Sequence, residues 1–205
     1  MTNEQFIVKV LSIAKIGLKY SKDDYALENY AELEKLGLEM LNSIADNPIS
    51  ENIFIPDLYP TPNLSVRVMI VNEFDQVLFV KEKMEAKWSL PGGWCDLFIS
   101  PRANAEKEVF EEVGIKIKTD KMLALFNREL YRKPKTILSD YVIYFIAKMP
   151  ADQTVDIGFE VSDAKFYNIG DEIILSTNNT KKELEIAWDV YVNNKNPWVD
   201  WREIF

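Results

Sequence analysis

Leu90-Pro91-Gly92-Gly93-Trp94-Cys95-Asp96, followed by Ser100-Pro101 and then by Glu108, Glu111 and Glu112, is the stretch on which the fold turns. It reads as a tight glycine loop running into a helix whose two ends are both marked. Ser100 is placed to cap the helix and Pro101 to take its first position. Gly114 suits the left-handed residue that closes a helix. Between these marks, Glu108, Glu111 and Glu112 fall at i, i+3 and i+4, which sets three carboxylates on one face. Ala105, Val109 and Val113 form a separate apolar stripe. The spacing predicts a helix over Pro101–Val113 with one packed side and one acidic side.

Like charges at this spacing weaken a helix by a few tenths of a kcal/mol per pair. A divalent cation reverses that sign. Magnesium takes oxygen ligands in near-octahedral geometry and keeps waters or substrate phosphates in its remaining positions. The paired glycines let backbone approach closely, so a carbonyl of the loop can serve as a further ligand. The alternative reading of the same three glutamates is a solvated acidic face.

Composition narrows the chemistry. The 205 residues hold 33 acids against 24 bases, a formal charge of −9, with one cysteine and no histidine. Without histidine there is no Ser-His-Asp or Cys-His nucleophile. Cys95 alone makes neither an intrachain disulfide nor a Cys/His zinc site. Any metal is therefore a hard cation held by oxygen, and acid-base work falls to Asp, Glu, Lys or Tyr. The negative balance argues against nucleic-acid binding by bulk charge, which leaves RNA unsupported as a partner. No window is apolar enough to span a membrane, and the first residues lack the basic start of a signal peptide. A cytoplasmic location is the expectation.

Outward from the loop, the chain changes texture twice. Residues 1–45 carry helical periodicity, with Phe6, Ile7, Val10, Leu11, Ala14 and Leu18 in one helix and a second from Asp23 or Asp24 to about Ala45. Pro48, Pro56, Pro60 and Pro62 then mark a linker or extended crossing. From residue 64 the pattern predicts strands at Leu64–Val71, Gln76–Lys81, Met122–Asn127, Tyr141–Lys148 and Ala164–Asn168. A last helix is expected from about Asn179 to Val192. Strands mixed with a few helices indicate a mixed α/β class.

The glycine loop and glutamate helix resemble the signature box of the Nudix hydrolases, G-x5-E-x7-R-E-U-x-E-E-x-G-U, where U is apolar. Gly93 fits the first glycine, and Glu108, Val109, Glu111, Glu112, Gly114 and Ile115 fit the tail. Two positions depart: the first glutamate of the box is Ile99 and its arginine is Lys107. In the family these two tend to pair and brace the loop against the helix. Ala14–Tyr20, Tyr59-Pro60-Thr61-Pro62 and Trp88–Trp94 are further similar to a subgroup with a small helical N-terminal domain. That subgroup includes enzymes acting on ADP-ribose or CDP-choline.

The resemblance implies an α/β/α sandwich with a mixed sheet over residues 61–205, preceded by a helical domain and Pro-rich linker over 1–60. It implies metal-assisted attack of water on a diphosphate linkage, releasing a nucleoside monophosphate and a phosphorylated group. Glu108 and Glu112 become metal ligands, Glu111 a ligand or base, and the Gly92 carbonyl a further ligand, for Mg2+ or Mn2+. Glu160 matches a position where relatives place one more carboxylate, and its rival reading is a solvated strand-edge acid. Trp94 is a candidate to stack on a base or to pack in the core. Asp96 is a candidate to contact substrate or to cap a turn. Arg67 is a candidate for a phosphate contact or an ordinary salt bridge, and strand alternation points it opposite Val66 and Val68. Arg128, with Arg132, Lys133 and Lys135, forms a basic loop that can grip phosphates or an RNA end. The N-terminal helices carry two apolar stripes that need a partner surface: packing on the catalytic domain is one reading, and a homodimer contact is the sharper expectation, because a two-helix unit is too small for its own core. Other readings are a hydrolase of RNA ends or nucleoside triphosphates, and a ligand-sensing module that has lost catalysis.

Overall fold

The computed structural model describes residues 3–44, 62–132 and 140–200. The chain divides into two compact units, Met1–Pro60 and Thr61–Phe205. In the first, helix α1 (Asn3–Tyr20) packs on helix α2 (Asp24–Ile44). The Asp23 carboxylate accepts from the Ala26 amide at 2.8 Å and starts α2. Ile7, Leu11, Ala14 and Leu41 are the buried contacts between the two helices. Phe6, Ile13, Ile16, Tyr20, Leu36 and Met40 remain more than half exposed on this unit. Of the proline-rich segment, Pro48, Pro56 and Pro60 lie outside the described residues.

The second unit is built on a mixed sheet. Strand β1 (Asn63–Val71) runs parallel to β5 (Asp140–Lys148), in register from Asn63 beside Asp140 to Val71 beside Lys148. Antiparallel β4 (Lys121–Asn127) flanks β5, and the short β7 (Trp198–Val199) pairs parallel with β4. On the other side β1 turns into β2 (Val77–Glu82), which pairs antiparallel with β3 (Trp88–Ser89) and β6 (Val161–Tyr167). The Asn72 side chain closes the β1–β2 turn, accepting from Phe74 and Gln76 amides at 3.0 and 2.9 Å.

Alternation along β1 sorts the two faces. Val66, Val68 and Ile70 pack with Ala105, Val109 and Val113 of helix α3 (Pro101–Val113). Met69 and Val71 pack toward Leu184, Ala187 and Val190 of helix α4 (Lys181–Val192). Helix, sheet and helix form the expected α/β/α sandwich. Helix α3 has the predicted limits. Ser100 Oγ accepts from the Ala103 amide at 3.2 Å, and Gly114 takes φ 68° while its amide reaches the Phe110 carbonyl.

Most element limits fall within one residue of the sequence reading, and the larger differences are these. Strand β6 begins at Val161 rather than Ala164, because its ladder with β2 extends to Glu82. Helix α4 begins at Lys181 rather than Asn179, because Thr180 caps it and Glu183 closes a capping box. Strands β3 and β7, two residues each, were not expected at all. Among the described residues, no helix is long and apolar enough to cross a membrane.

Candidate active site

The glycine loop lies alongside β1 as an extra antiparallel edge. The Val66 and Val68 amides donate to the Gly93 and Pro91 carbonyls at 2.9 Å, and the Cys95 amide donates to the Leu64 carbonyl at 2.9 Å. Gly92 has φ 140°, and a Cβ on it would sit 2.1 Å from the Val66 carbonyl oxygen. Only glycine meets both demands. A Cβ on Gly93 would instead sit 2.5 Å from Oε2 of Glu108. The space that this glycine vacates is filled by a carboxylate from α3.

From that packing the three helical glutamates acquire different characters. Glu112 is 9% exposed, and its Oε2 accepts from the Gly92 amide at 3.0 Å. Burial pushes its pKa up to about 8, against the pull of Arg67 and the Gly92 amide, with Glu108 and Glu160 adding repulsion. Glu108 is mostly buried, and burial raises its pKa despite the nearby Lys107 charge. Glu111 projects outward and is paired with Lys107 at 2.7 Å. The sequence reading put all three on a face opposite the packed side. The structure corrects this, because Glu112 itself is part of the packed surface between helix and loop.

Lys107, which stands where the family box has arginine, was not among the expected site residues. Its ammonium is 2.7 Å from Glu111, 3.5 Å from Glu108 and 3.6 Å from Asp96. Burial alone would lower its pKa, but the bond to Glu111 and the charges of Glu108 and Asp96 outweigh this and raise it. The carboxylates are spread around this ammonium. Among the described residues, no three acids or cysteines are gathered closely enough to hold a metal ion as they stand. The donors are nevertheless the hard oxygens that a divalent cation of this class takes, and the Gly93 cradle brings one of them to the loop.

The other expected residues fall on the same cleft. Arg67 is buried at 6% exposure and shares the α4 face of β1, as alternation requires. One of its terminal nitrogens donates to the Leu90 carbonyl at 3.3 Å and to the Gly92 carbonyl. These loop carbonyls stand where an ordinary salt bridge was one of the two readings, and the guanidinium still lines the cleft. Arg128 opens a short turn after β4, is 2% exposed, and donates to the Thr177 carbonyl. Burial lowers its pKa, with the buried Glu183 opposing. Nε of Arg67 and Nε of Arg128 make no hydrogen bond. Asp96 uses its amide to bond the buried Asn104 at 3.0 Å and turns its carboxylate to Lys107. Trp94 is 51% exposed, so it belongs to the rim rather than the core. Arg132 pairs with the buried Asp140 at 3.0 Å, while Lys133 and Lys135 lie outside the described residues.

Two adjoining chambers result. One, of about 540 Å³, is lined by Arg67, Gly92, Trp94, Glu112, Arg128 and Glu160 among others. The second, of about 570 Å³, shares Trp94, Glu112 and Glu160 and adds Asp96, Lys107, Glu108 and Glu111. Every expected site residue lines one chamber or the other. A further cavity of about 430 Å³, lined by Phe79, Ile169, Ile173 and Leu184, shares none of them. Behind the loop, Asn179 accepts from the Leu90 amide at 2.8 Å and donates to the Tyr144 hydroxyl. This support from the start of α4 was missed from sequence, since nothing local links residues 90, 144 and 179.

Comparison with known proteins agrees with this geometry. Residues 61–187 match the NUDIX domain family, and residues 4–52 match the family described as the UDP-X-like, N-terminal oligomerisation domain. A Bacillus subtilis (strain 168) protein, "Putative ADP-ribose pyrophosphatase YjhB", is 36% identical over 165 residues, covering 78% of this chain and 77% of its own. A crystal structure of UDP-X diphosphatase is 30% identical with a TM-score of 0.65, covering 96% of this chain and 97% of its own. An ADP-ribose pyrophosphatase from Streptococcus suis 89-1591 is 25% identical with a TM-score of 0.60, covering 68% of this chain and all of its own, 100%. The signature helix, the sandwich and these matches together make the chain a member of the Nudix hydrolase family, a pyrophosphohydrolase with a helical N-terminal unit.

Proposed function

We propose that the protein hydrolyses the diphosphate linkage of a nucleoside diphosphate joined to a second group X, of the ADP-ribose, UDP-X or CDP-choline type. The products are a nucleoside monophosphate and phosphorylated X. One observation carries this reading: Glu112 and Glu108 are held at the junction of the glycine loop and α3, and Glu112 lines both adjoining chambers, one of which it shares with the buried Arg67 and Arg128 and the other with Glu108. The relatives named for ADP-ribose and UDP-X support the substrate class.

Glu108 and Glu112 are the proposed ligands of Mg2+ or Mn2+, with Glu111 as ligand or base and the Gly92 carbonyl as a further ligand. When bound, the metal neutralises phosphate oxygens and makes water more acidic. The chain's own part is positioning. Arg67 orients the Gly92 carbonyl, and the Gly92 amide orients Glu112. Arg128 and Arg67 make the cleft floor favourable for a phosphate anion. Lys107 offsets part of the negative charge of Glu108, Glu111 and Asp96, whose surplus a divalent cation would complement. Glu160, beside Glu112 at the cleft mouth, is a further acid able to accept a proton from water.

The test is hydrolysis of ADP-ribose, UDP-glucose, CDP-choline, nucleoside triphosphates and short RNA with Mg2+ or Mn2+. Wild-type turnover of the first three, reduced at least about a hundredfold by Glu112→Gln, is the expected result. Full activity of Glu112→Gln would defeat the assignment. Preference for RNA ends or triphosphates would move it to the runner-up. The N-terminal unit is the proposed homodimer contact, supported by its match to an oligomerisation domain and by its exposed apolar side chains.

A further inference from the structure

Phe159 is the least explained side chain near the cleft. It is 89% exposed, yet its surroundings hold it in place on both sides. On one side the Gly158 amide donates to the Glu112 carbonyl at 2.8 Å and the Asp156 amide to the Val113 carbonyl at 2.9 Å. This approach is so close that a Cβ on Gly158 would lie 1.9 Å from the Glu111 carbonyl oxygen. On the other side the Lys83 amide donates to the Glu160 carbonyl at 3.2 Å. Lys83 then turns its ammonium to the Phe159 carbonyl and over the Phe159 ring, 4.9 Å from the centroid.

An exposed apolar ring contributes little to the fold beyond its contact with the Lys83 ammonium. Burial would stabilise it, and mobility would lower its entropic cost. Here the backbone is pinned to the end of the catalytic helix, and the ring stands at the mouth of both chambers. Trp94, 51% exposed, lines both chambers as well. Two aromatic side chains therefore rise beside the carboxylates, one carried by the glycine loop and one by the segment before β6. Of the other side chains lining the first chamber, Met84 is 99% exposed and carries only a weakly accepting thioether, Asn178 donates to Glu82 at 2.7 Å, and Ser65 donates to the Tyr141 carbonyl at 3.3 Å. The Lys83 ammonium is engaged by the Phe159 carbonyl.

We infer that Phe159 and Trp94 form a preset stacking platform that holds the nucleobase of the substrate by its face, without choosing among bases. The inference rests on the hydrolase reading and names the part of the substrate that this rim takes. Stacking on an aromatic ring is tolerant, because every base presents a π face. Selection among substrates then falls on the phosphates and on X.

Binding is the direct readout, because it does not depend on turnover. Calorimetric titration of the full-length protein with AMP, UMP, CMP and the base-free ribose 5-phosphate tests the platform. The wild type should bind the three nucleotides within about threefold of one another, and about tenfold or more tighter than ribose 5-phosphate. Phe159→Ala should remove most of that gap, and Phe159→Trp should keep it. Phe159 is exposed, so neither change threatens the fold. An unchanged gap in Phe159→Ala overturns the inference. So does a wild type that separates AMP from UMP by more than about tenfold. If the gap behaves as expected but ADP-ribose and UDP-glucose are not hydrolysed, the hydrolase reading fails and the platform stands. If hydrolysis proceeds and Phe159→Ala leaves the gap intact, the platform alone fails.

Discussion

Gly92 and Gly93 are neighbours with different duties. At Gly92 an added methyl group meets backbone, 2.1 Å from the Val66 carbonyl, in a conformation that L-residues avoid. At Gly93 it meets the end of the Glu108 side chain, 2.5 Å away, which can swing aside. Gly92→Ala should therefore cost at least about 2 kcal/mol of stability, read as a lowered Tm. Gly93→Ala should leave Tm within about 2 °C while reducing turnover, because it evicts a proposed ligand. Equal losses of stability in the two variants would contradict this division.

Glu112 also sets a pH dependence. Burial holds its folded pKa up at about 8, against an ordinary 4.5. A carboxyl with a raised folded pKa binds its proton more tightly in the folded state. Its contribution to stability is complete below about pH 4.5 and is lost as pH rises through about 8. Glu108 shifts in the same direction. Melting in EDTA should show Tm falling between pH 6 and 9, with a shallower fall in Glu112→Gln. A wild-type Tm that rises over this range would contradict the burial argument.

At the scale of elements, the ends of helices carried most of the legible information. Ser100, Pro101 and Gly114 act within four residues of their own positions, so the limits of α3 could be read from the chain. The strands with long apolar alternation were equally legible. Strands β3 and β7 were not, because two residues have no periodicity and exist only through their partners, Lys81 and Val80 for one, Ala124 and Leu125 for the other. The site divided in the same way. Glu108, Glu111 and Glu112 share one helix, whereas Asn179 and Gly158 act across the fold on residues 90 and 111–112. Helix α4 supplies a test of such distant support. Thr180 Oγ1 accepts from the Glu183 amide at 3.2 Å, while the Glu183 carboxylate accepts from the Thr180 amide at 2.7 Å. Thr180→Ala should cost about 1 kcal/mol and lower Tm by about 2–4 °C. A change within error would show that the neighbouring Asn179 anchor holds the helix start alone.

At the scale of the molecule, the two units have different needs. Residues 61–205 enclose their own core on both sides of a sheet. The helical pair has only a small buried cluster around Ile7, Leu11 and Leu41, and it leaves Ile13 and Ile16 51% and 56% exposed. A pair of helices this small is marginal without a partner. Full-length protein should elute as a dimer in size-exclusion chromatography with light scattering, and Ile13→Glu with Ile16→Glu should produce a monomer. A monomeric wild type would remove the dimer proposal and leave the catalytic unit untouched.

Lys107 among its acids has a consequence for how this lineage can change. Position 99 is isoleucine, and among the described residues the Lys107 ammonium is shared by Glu111, Glu108 and Asp96. A glutamate at 99 would compete for that ammonium, so substitutions at the two positions are expected to be coupled. Ile99→Glu should draw the ammonium off and alter Mn2+ affinity measured by calorimetry, whereas the same change beside Lys107→Met should have little effect. A double-mutant cycle should show a coupling of at least about 0.5 kcal/mol. Strict additivity would mean that the pair drifted independently. A measured coupling would mean that the apolar residue at 99 and the lysine at 107 work as one unit in setting how firmly the acidic cluster holds its cation.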